Sequence, residues 1–214
     1  MSITDSKTEG IILQTKDSSY HMAVDRYGTL RHLYYGKRLG QEDLSGLHRE
    51  YNRGFSGNPY EAGNDYGYSL DSLCLEFSGC GVGDYRVPPL RVLNADGSRC
   101  ADLRYVSHVI REGKYSLPGL PAARDADGDA QTLEVVLRDE ATKLTVRLLY
   151  GVLEKKNIIT RTALYENAGS EPIVLEKASS CSLELPFGKW DLLHFHGRHN
   201  KERMPERVPV MHGG

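Results

Sequence analysis

A chain of 214 residues is long enough to bury one sandwich-sized core, and its 22 glycines and 13 tyrosines against a single tryptophan suit a turn-rich β fold better than a helical bundle. The formal net charge of −2, with acids and bases interspersed, argues against a nucleic-acid or anionic-membrane partner, which would need a concentrated positive footprint. Four irregularly spaced cysteines without a CxxC pair suggest neither a zinc knuckle nor a redox dithiol. With no signal-like apolar run at the amino terminus and no spanning segment, the expected location is cytoplasmic.

In chain order, Gly10–Thr15 reads as the first strand, followed by Tyr20–Asp25 and Thr29–Tyr35 in an antiparallel meander. From Gly36 to Asp84 the pattern dissolves. One helical turn is expected near Glu42–Ser45, with Asp43 or Ser45 as its cap. Beyond it runs a Gly-, Asn-, Pro- and Tyr-rich excursion. Its aromatic residues Tyr51, Phe55, Tyr60, Tyr66 and Tyr68 argue for an ordered loop, spanning about residues 40–83, rather than a disordered one.

Strand character resumes at Asp84–Leu93, where Pro88-Pro89 should interrupt it or place it at an edge. In the next strand, Asp102–Arg111, Leu103, Tyr105 and Ser107 are expected on one face, with Arg104, Val106 and His108 on the other. The strongest signal lies at Gln131–Tyr150. Leu133, Val135 and Leu137 alternate with polar residues, as do Leu144, Val146 and Leu148 after a short polar loop. A period of two with one apolar face marks a strand, and two such runs joined by a short loop mark a hairpin central to a large antiparallel sheet. Further strands are expected at Asn157–Glu166, Ile173–Leu185 and Leu192–His196. The tail after Gly197 has charge and proline but no core pattern.

Chemical constellations are sparse. Asp125, Asp127 and Asp129 alternate like oxygen ligands, but the position of a closing glutamate falls inside the next strand, so an exposed acidic turn is expected. His194, His196 and His199 form the histidine cluster. A strand would put His194 and His196 on one face, at a spacing that suits joint metal ligation, with His199 or Glu202 closing the set. Surface or interface histidines are the expectation, and neither a metal nor a cofactor is assigned. His21, His32, His48 and His108 carry no recognisable motif. The residues alone describe an all-β sandwich with one elaborate aromatic loop and no catalytic constellation.

An ordered series of blocks adds to that reading. HLYYGKRL at His32–Leu39, DLSGL at Asp43–Leu47, NPYE at Asn58–Glu61 and YSLDSL at Tyr68–Leu73 are joined by GDYRVPPLRV at Gly83–Val92 and DLRYVSHVI at Asp102–Ile110. LPGLPA at Leu117–Ala122 and ITRTALYENAGSEPIVLEKASS at Ile159–Ser180 complete it. The series resembles the amino-terminal domain of the family 36 glycoside hydrolases, the α-galactosidases. The resemblance implies an antiparallel β-supersandwich of galactose-mutarotase-like type, incomplete here. It would be one part of a longer protein whose (β/α)8 barrel carries both catalytic aspartates and whose carboxy-terminal domain is also β. Such proteins hydrolyse terminal α-galactosides of the melibiose and raffinose type with retention of configuration.

By the same resemblance this chain is not itself catalytic. Lys189-Trp190-Asp191 and Ser180-Cys181-Ser182 look like barrel motifs but lie in the wrong domain, and receive no catalytic role. The expected contributions are packing against the absent barrel, homo-oligomerisation and closure of the sugar pocket of a neighbouring subunit. Asp43 and Phe55 are the loop candidates for contact with the sugar, as a hydroxyl acceptor and an aromatic wall. His199 stands where a GAWxRER-like family string has its tryptophan, within GRHNKER. It keeps the charged Glu202-Arg203 pair but loses the broad stacking surface. The alternatives are a stand-alone carbohydrate-binding module and a purely structural or assembly domain.

Overall fold

The computed structural model describes residues 2–211 apart from 7–9, 41–43, 48–49, 53–57 and 186–187, and divides the chain into units of 1–184 and 185–214. Among its described residues the first unit holds ten strands: β1 (Ile3–Ser6), β2 (Gly10–Gln14), β3 (Ser18–Val24), β4 (Leu30–Lys37), β5 (Leu90–Leu93), β6 (Arg104–Glu112), β7 (Ala130–Arg138), β8 (Leu144–Leu153), β9 (Ile158–Asn167) and β10 (Val174–Ala178). Two four-stranded antiparallel sheets, β1-β2-β3-β4 and β6-β7-β8-β9, are joined by a two-stranded β5-β10 pair.

The expected central hairpin is present, with Val135 opposite Leu148 and Leu137 opposite Val146. Strand β7 alternates from Leu133 on, as a half-buried strand should, whereas β8 is buried on both faces along nearly all its length. Leu133, Val135, Leu137, Val146 and Leu148 are fully buried and meet Ile11, Leu13, Tyr20 and Met22 from the other sheet in one apolar core. The two inner faces thus form a sandwich, each buried leucine contributing about 2 kcal/mol. Gln131 stitches the sheets together. Its Oε1 accepts the backbone N–H of Ser2 at 2.9 Å and that of Ile3 at 3.0 Å.

Local departures from the sequence reading have physical causes. The chain begins with β1, a polar edge strand that the apolar pattern does not mark. The strand expected from Asp84 starts only at Leu90, after Pro88-Pro89. Strand β10 ends at Ala178 instead of running on to Leu185. In β6, a bulge between Tyr105 and Ser107 shifts the alternation by one residue. Tyr105, His108 and Ile110 therefore share the more buried face, and Tyr105 Oη lies 2.8 Å from His108 Nδ1. The helical turn is a 3-10 turn at Ser45–Leu47; Glu42 and Asp43 lie outside the described residues.

The long excursion carries no strand between 45 and 83 among the described residues, yet it has a core of its own. Ala62, Tyr68, Leu70, Leu73 and Leu75 cluster, with Tyr27 and Val82 against them. Tyr68 donates to Asp25 Oδ2 at 2.6 Å, which pins the excursion to the β3–β4 turn. Arg26, on that turn, donates to both Glu50 oxygens at 3.0 and 2.8 Å and to Asp65 at 2.6 Å.

The second unit is a hairpin of β11 (Trp190–Arg198) and β12 (Lys201–Val210). Here the sequence reading needs correction: the tail taken as patternless is a full strand. Met204, Val208 and Val210 alternate with Pro205, Arg207 and Pro209, and the prolines are tolerated because β12 pairs on one side only.

Candidate functional site

Three groupings of polar side chains stand out, together with the positions singled out from the sequence. The first is centred on Glu76, which is completely buried. It follows Leu75, bridged to Arg31 of β4, and its own N–H donates to the Leu30 carbonyl at 3.0 Å. Tyr20 from β3 donates to its two oxygens at 2.8 and 2.7 Å, and Tyr150 from β8 donates at 2.5 Å. Arg161 from β9 places a guanidinium nitrogen 3.0 Å from the carboxylate, and His32 Nδ1 lies 3.3 Å away.

Burial alone would push the Glu76 carboxyl up, but Arg161, His32 and Tyr150 overcome it and hold it below the ordinary range. Burial, followed by the adjacent Glu76 charge, pushes both tyrosines well above theirs. Arg161 also donates to the carbonyls of Glu76 at 2.7 Å and Ser182 at 2.6 Å. The Glu76 carboxylate is closed to solvent and both of its oxygens are taken, which makes the group a structural clasp between the sheets.

A second grouping joins Asp84, Arg86 and Glu184. Arg86 Nε donates to Asp84 at 2.8 Å, and Arg86 Nη1 lies 2.8 Å from Glu184, which accepts the Leu75 N–H at 2.6 Å. Burial dominates at Glu184 and, despite Arg86, raises its pKa to about 7.

The third is an open cleft of about 370 Å³ where the aromatic excursion meets β6. Tyr60 and Tyr85 flank it, 97% and 79% exposed. Its polar wall is Arg104, gripped by Asp102 at 2.6 and 3.1 Å and donating to the Tyr27 carbonyl at 2.8 Å, with Glu61 3.5 Å away. Exposed rings beside fixed donors and acceptors can stack on a sugar and read its hydroxyls.

Of the sequence-derived sugar candidates, Asp43 and Phe55 lie outside the described residues. His199 is exposed in the two-residue connection between Arg198 and Lys201, which pair across the hairpin. Asn200 beside it adopts the left-handed conformation, φ 63°, that such a tight connection favours. Glu202 accepts the Asn200 N–H at 3.0 Å. Asp191, in the string set aside as non-catalytic, is paired with Arg207 across the hairpin at 2.8 Å. The acidic turn forms as expected: Asp125 accepts the N–H groups of Asp129 and Ala130 at 3.2 and 3.3 Å.

The sequence reading missed Glu76, Arg161, Glu184 and Arg104. The available signal at Glu76 was a lone acid between Leu75 and Phe77, with no period to indicate that it points inward. His32, read as unspecialised, is one of its buried partners.

Comparison with known proteins gives this geometry a family. The model of the glycosyl hydrolase family 36 N-terminal domain matches residues 28–214. The chain belongs to that family. It is 46% identical over 201 residues to the bifunctional α-galactosidase/sucrose kinase AgaSK of Mediterraneibacter gnavus, covering 94% of this chain and 21% of AgaSK. The solved galactosidase domain of AgaSK superposes with a TM-score of 0.93 at 44% identity, covering 99% of this chain and 29% of that one. A variant of the family 36 α-galactosidase AgaA of Geobacillus stearothermophilus, solved in complex with raffinose, gives 0.88 at 38% identity, covering 94% and 28%. The chain thus spans between a fifth and a third of the relatives it matches, in their N-terminal portion.

Proposed function

We propose that this chain is the non-catalytic N-terminal domain of an α-galactosidase acting on terminal α-galactosides of the melibiose and raffinose type, with retention. Its contributions are packing against a catalytic barrel, subunit association and closure of the sugar pocket. The observation that carries the reading is coverage: nearly the whole chain aligns with α-galactosidases, yet with under a third of each. The AgaA complex with raffinose supports the substrate class. Asp43 and Phe55 would contact the sugar from the excursion, and His199 from the turn between β11 and β12. No helix among the described residues is long and apolar enough to cross a membrane, and a cytoplasmic location is part of the proposal.

The test is to measure raffinose hydrolysis by the native gene product before and after Asp43→Ala and His199→Ala. Raised KM in both variants, with folding intact, supports the pocket role; unchanged kinetics removes it.

A second reading, a sugar-binding surface independent of catalysis, is favoured by the cleft between Tyr60 and Tyr85. Titration with galactose and raffinose, followed by tyrosine fluorescence, distinguishes the two. A saturable response lost in Tyr60→Ala and Tyr85→Ala would establish it; no response would dismiss it.

A further inference from the structure

The β11–β12 hairpin places three ligand-type side chains on one face. His194 and His196 are two apart on β11 and so point the same way, and Glu206 lies directly opposite His194 in the register of β12. Their ligand atoms all fall within 4.8 Å of one another. One Glu206 oxygen, Oε2, stands 3.4 Å from His194 Nε2 and 3.4 Å from His196 Nδ1. The sequence offered His199 or Glu202 to close this set; the register supplies Glu206 instead.

Two ligands held about 2.0–2.2 Å from one tetrahedral zinc ion lie about 3.3–3.6 Å apart. The two separations at Glu206 match such edges, and the imidazole nitrogens lie within 4.8 Å of each other. Two imidazoles and one carboxylate are a borderline nitrogen and oxygen set, suited to zinc over calcium or magnesium, which prefer all-oxygen shells. All three side chains are partly or largely exposed, at 40% for His194, 60% for His196 and 51% for Glu206, which leaves the fourth position open to water.

We propose that His194, His196 and Glu206 form a binding site for one divalent first-row transition ion, zinc by preference. The ion ties β11 to β12 close to the turn that carries His199. Binding involves no redox or group-transfer step: it displaces any imidazole protons to solvent and leaves an ion with two imidazole ligands, one carboxylate and water.

The test is calorimetric titration of the tag-free full chain with zinc chloride alone, repeated for His194→Ala, His196→Ala and Glu206→Ala. Replacement by cobalt(II) reports ligand type in the visible spectrum. One equivalent of zinc is expected to bind saturably in the parent chain, with loss of that binding in each variant, and cobalt should show no thiolate charge-transfer band. Amide exchange across 190–210 should slow when zinc is added. Absence of saturable binding, retention of it in any of the three variants, or its loss on cysteine alkylation would overturn the proposal. X-ray absorption of the zinc-loaded parent chain does not depend on the variants folding. A shell of nitrogen and oxygen at about 2.0–2.1 Å with imidazole scattering is expected, and sulfur in that shell would contradict it.

Discussion

Glu76 and Arg161 meet 3.0 Å apart between the two sheets, the carboxylate wholly buried and the guanidinium nearly so. Neither charge would be tolerable there alone. Removing Arg161 leaves a desolvated carboxylate with only Tyr20, Tyr150 and His32 beside it and no permanent countercharge, a loss of about 3–5 kcal/mol. Arg161→Met should therefore lower the urea midpoint by that equivalent at pH 7, with the slope of the transition unchanged. A midpoint within experimental error of the parent would show that the clasp does not hold the sandwich together.

The same carboxylate gives a pH signature. Its pKa is depressed in the folded chain, so the stability it supplies is fully present above the unfolded value of about 4.3 and is lost as pH falls toward the folded value. Denaturation curves below pH 4.3 should steepen against pH in the parent and flatten in Glu76→Gln, which will itself be less stable at neutral pH.

Glu184 acts in the opposite sense. Its folded pKa is raised to about 7 from an unfolded value of about 4.3. The folded chain then holds the extra proton, so stability falls as pH rises between those values, by roughly 3 kcal/mol over the window. Glu184→Gln should remove that part of the slope between about pH 4.3 and 7 while leaving the acid limb assigned to Glu76. An unchanged slope would sink the assignment.

Much of this framework was legible in the sequence, and the failures have physical reasons. Strands β7 and β8 were visible because Leu133, Val135, Leu137, Leu144, Val146 and Leu148 sit at period two on an inner face. Strand β12 was not, because Pro205 and Pro209 read as breakers when their neighbours across the free edge are unknown. The faces of β6 were misjudged because a bulge adds one residue without any mark in the composition. Glu76 and Glu206 were invisible as partners for a simpler reason. Glu206 meets His194 through strand register, and Glu76 meets Tyr20, Tyr150 and Arg161 through the packing of a loop segment against three strands; both are tertiary properties with no local pattern.

The core itself offers a direct check. Leu148 is completely buried between Val135 and Ala163 in the β7–β8–β9 register. Leu148→Ala should cost about 2–5 kcal/mol in chemical denaturation. A loss below 1 kcal/mol would mean that this sheet is not the centre of the core.

Gly197 governs the hairpin that carries His199. A Cβ there would stand 2.6 Å from the Lys201 carbonyl oxygen and 2.9 Å from the Glu202 Cα, both backbone atoms. Gly197→Ala should speed amide exchange throughout 190–210 while the unfolding midpoint of residues 1–184 stays in place. Unaltered exchange would show that the hairpin has room the geometry denies it.

The central claim is that this chain serves an α-galactosidase without performing its chemistry. The most direct measurement compares raffinose hydrolysis by the native gene product, purified from its source cells, with hydrolysis by the isolated chain of 214 residues. The account predicts turnover by the native product and none by the isolated chain. Turnover by the chain that disappears on changing one of its own carboxylates, or a native product with no activity on α-galactosides, would contradict it.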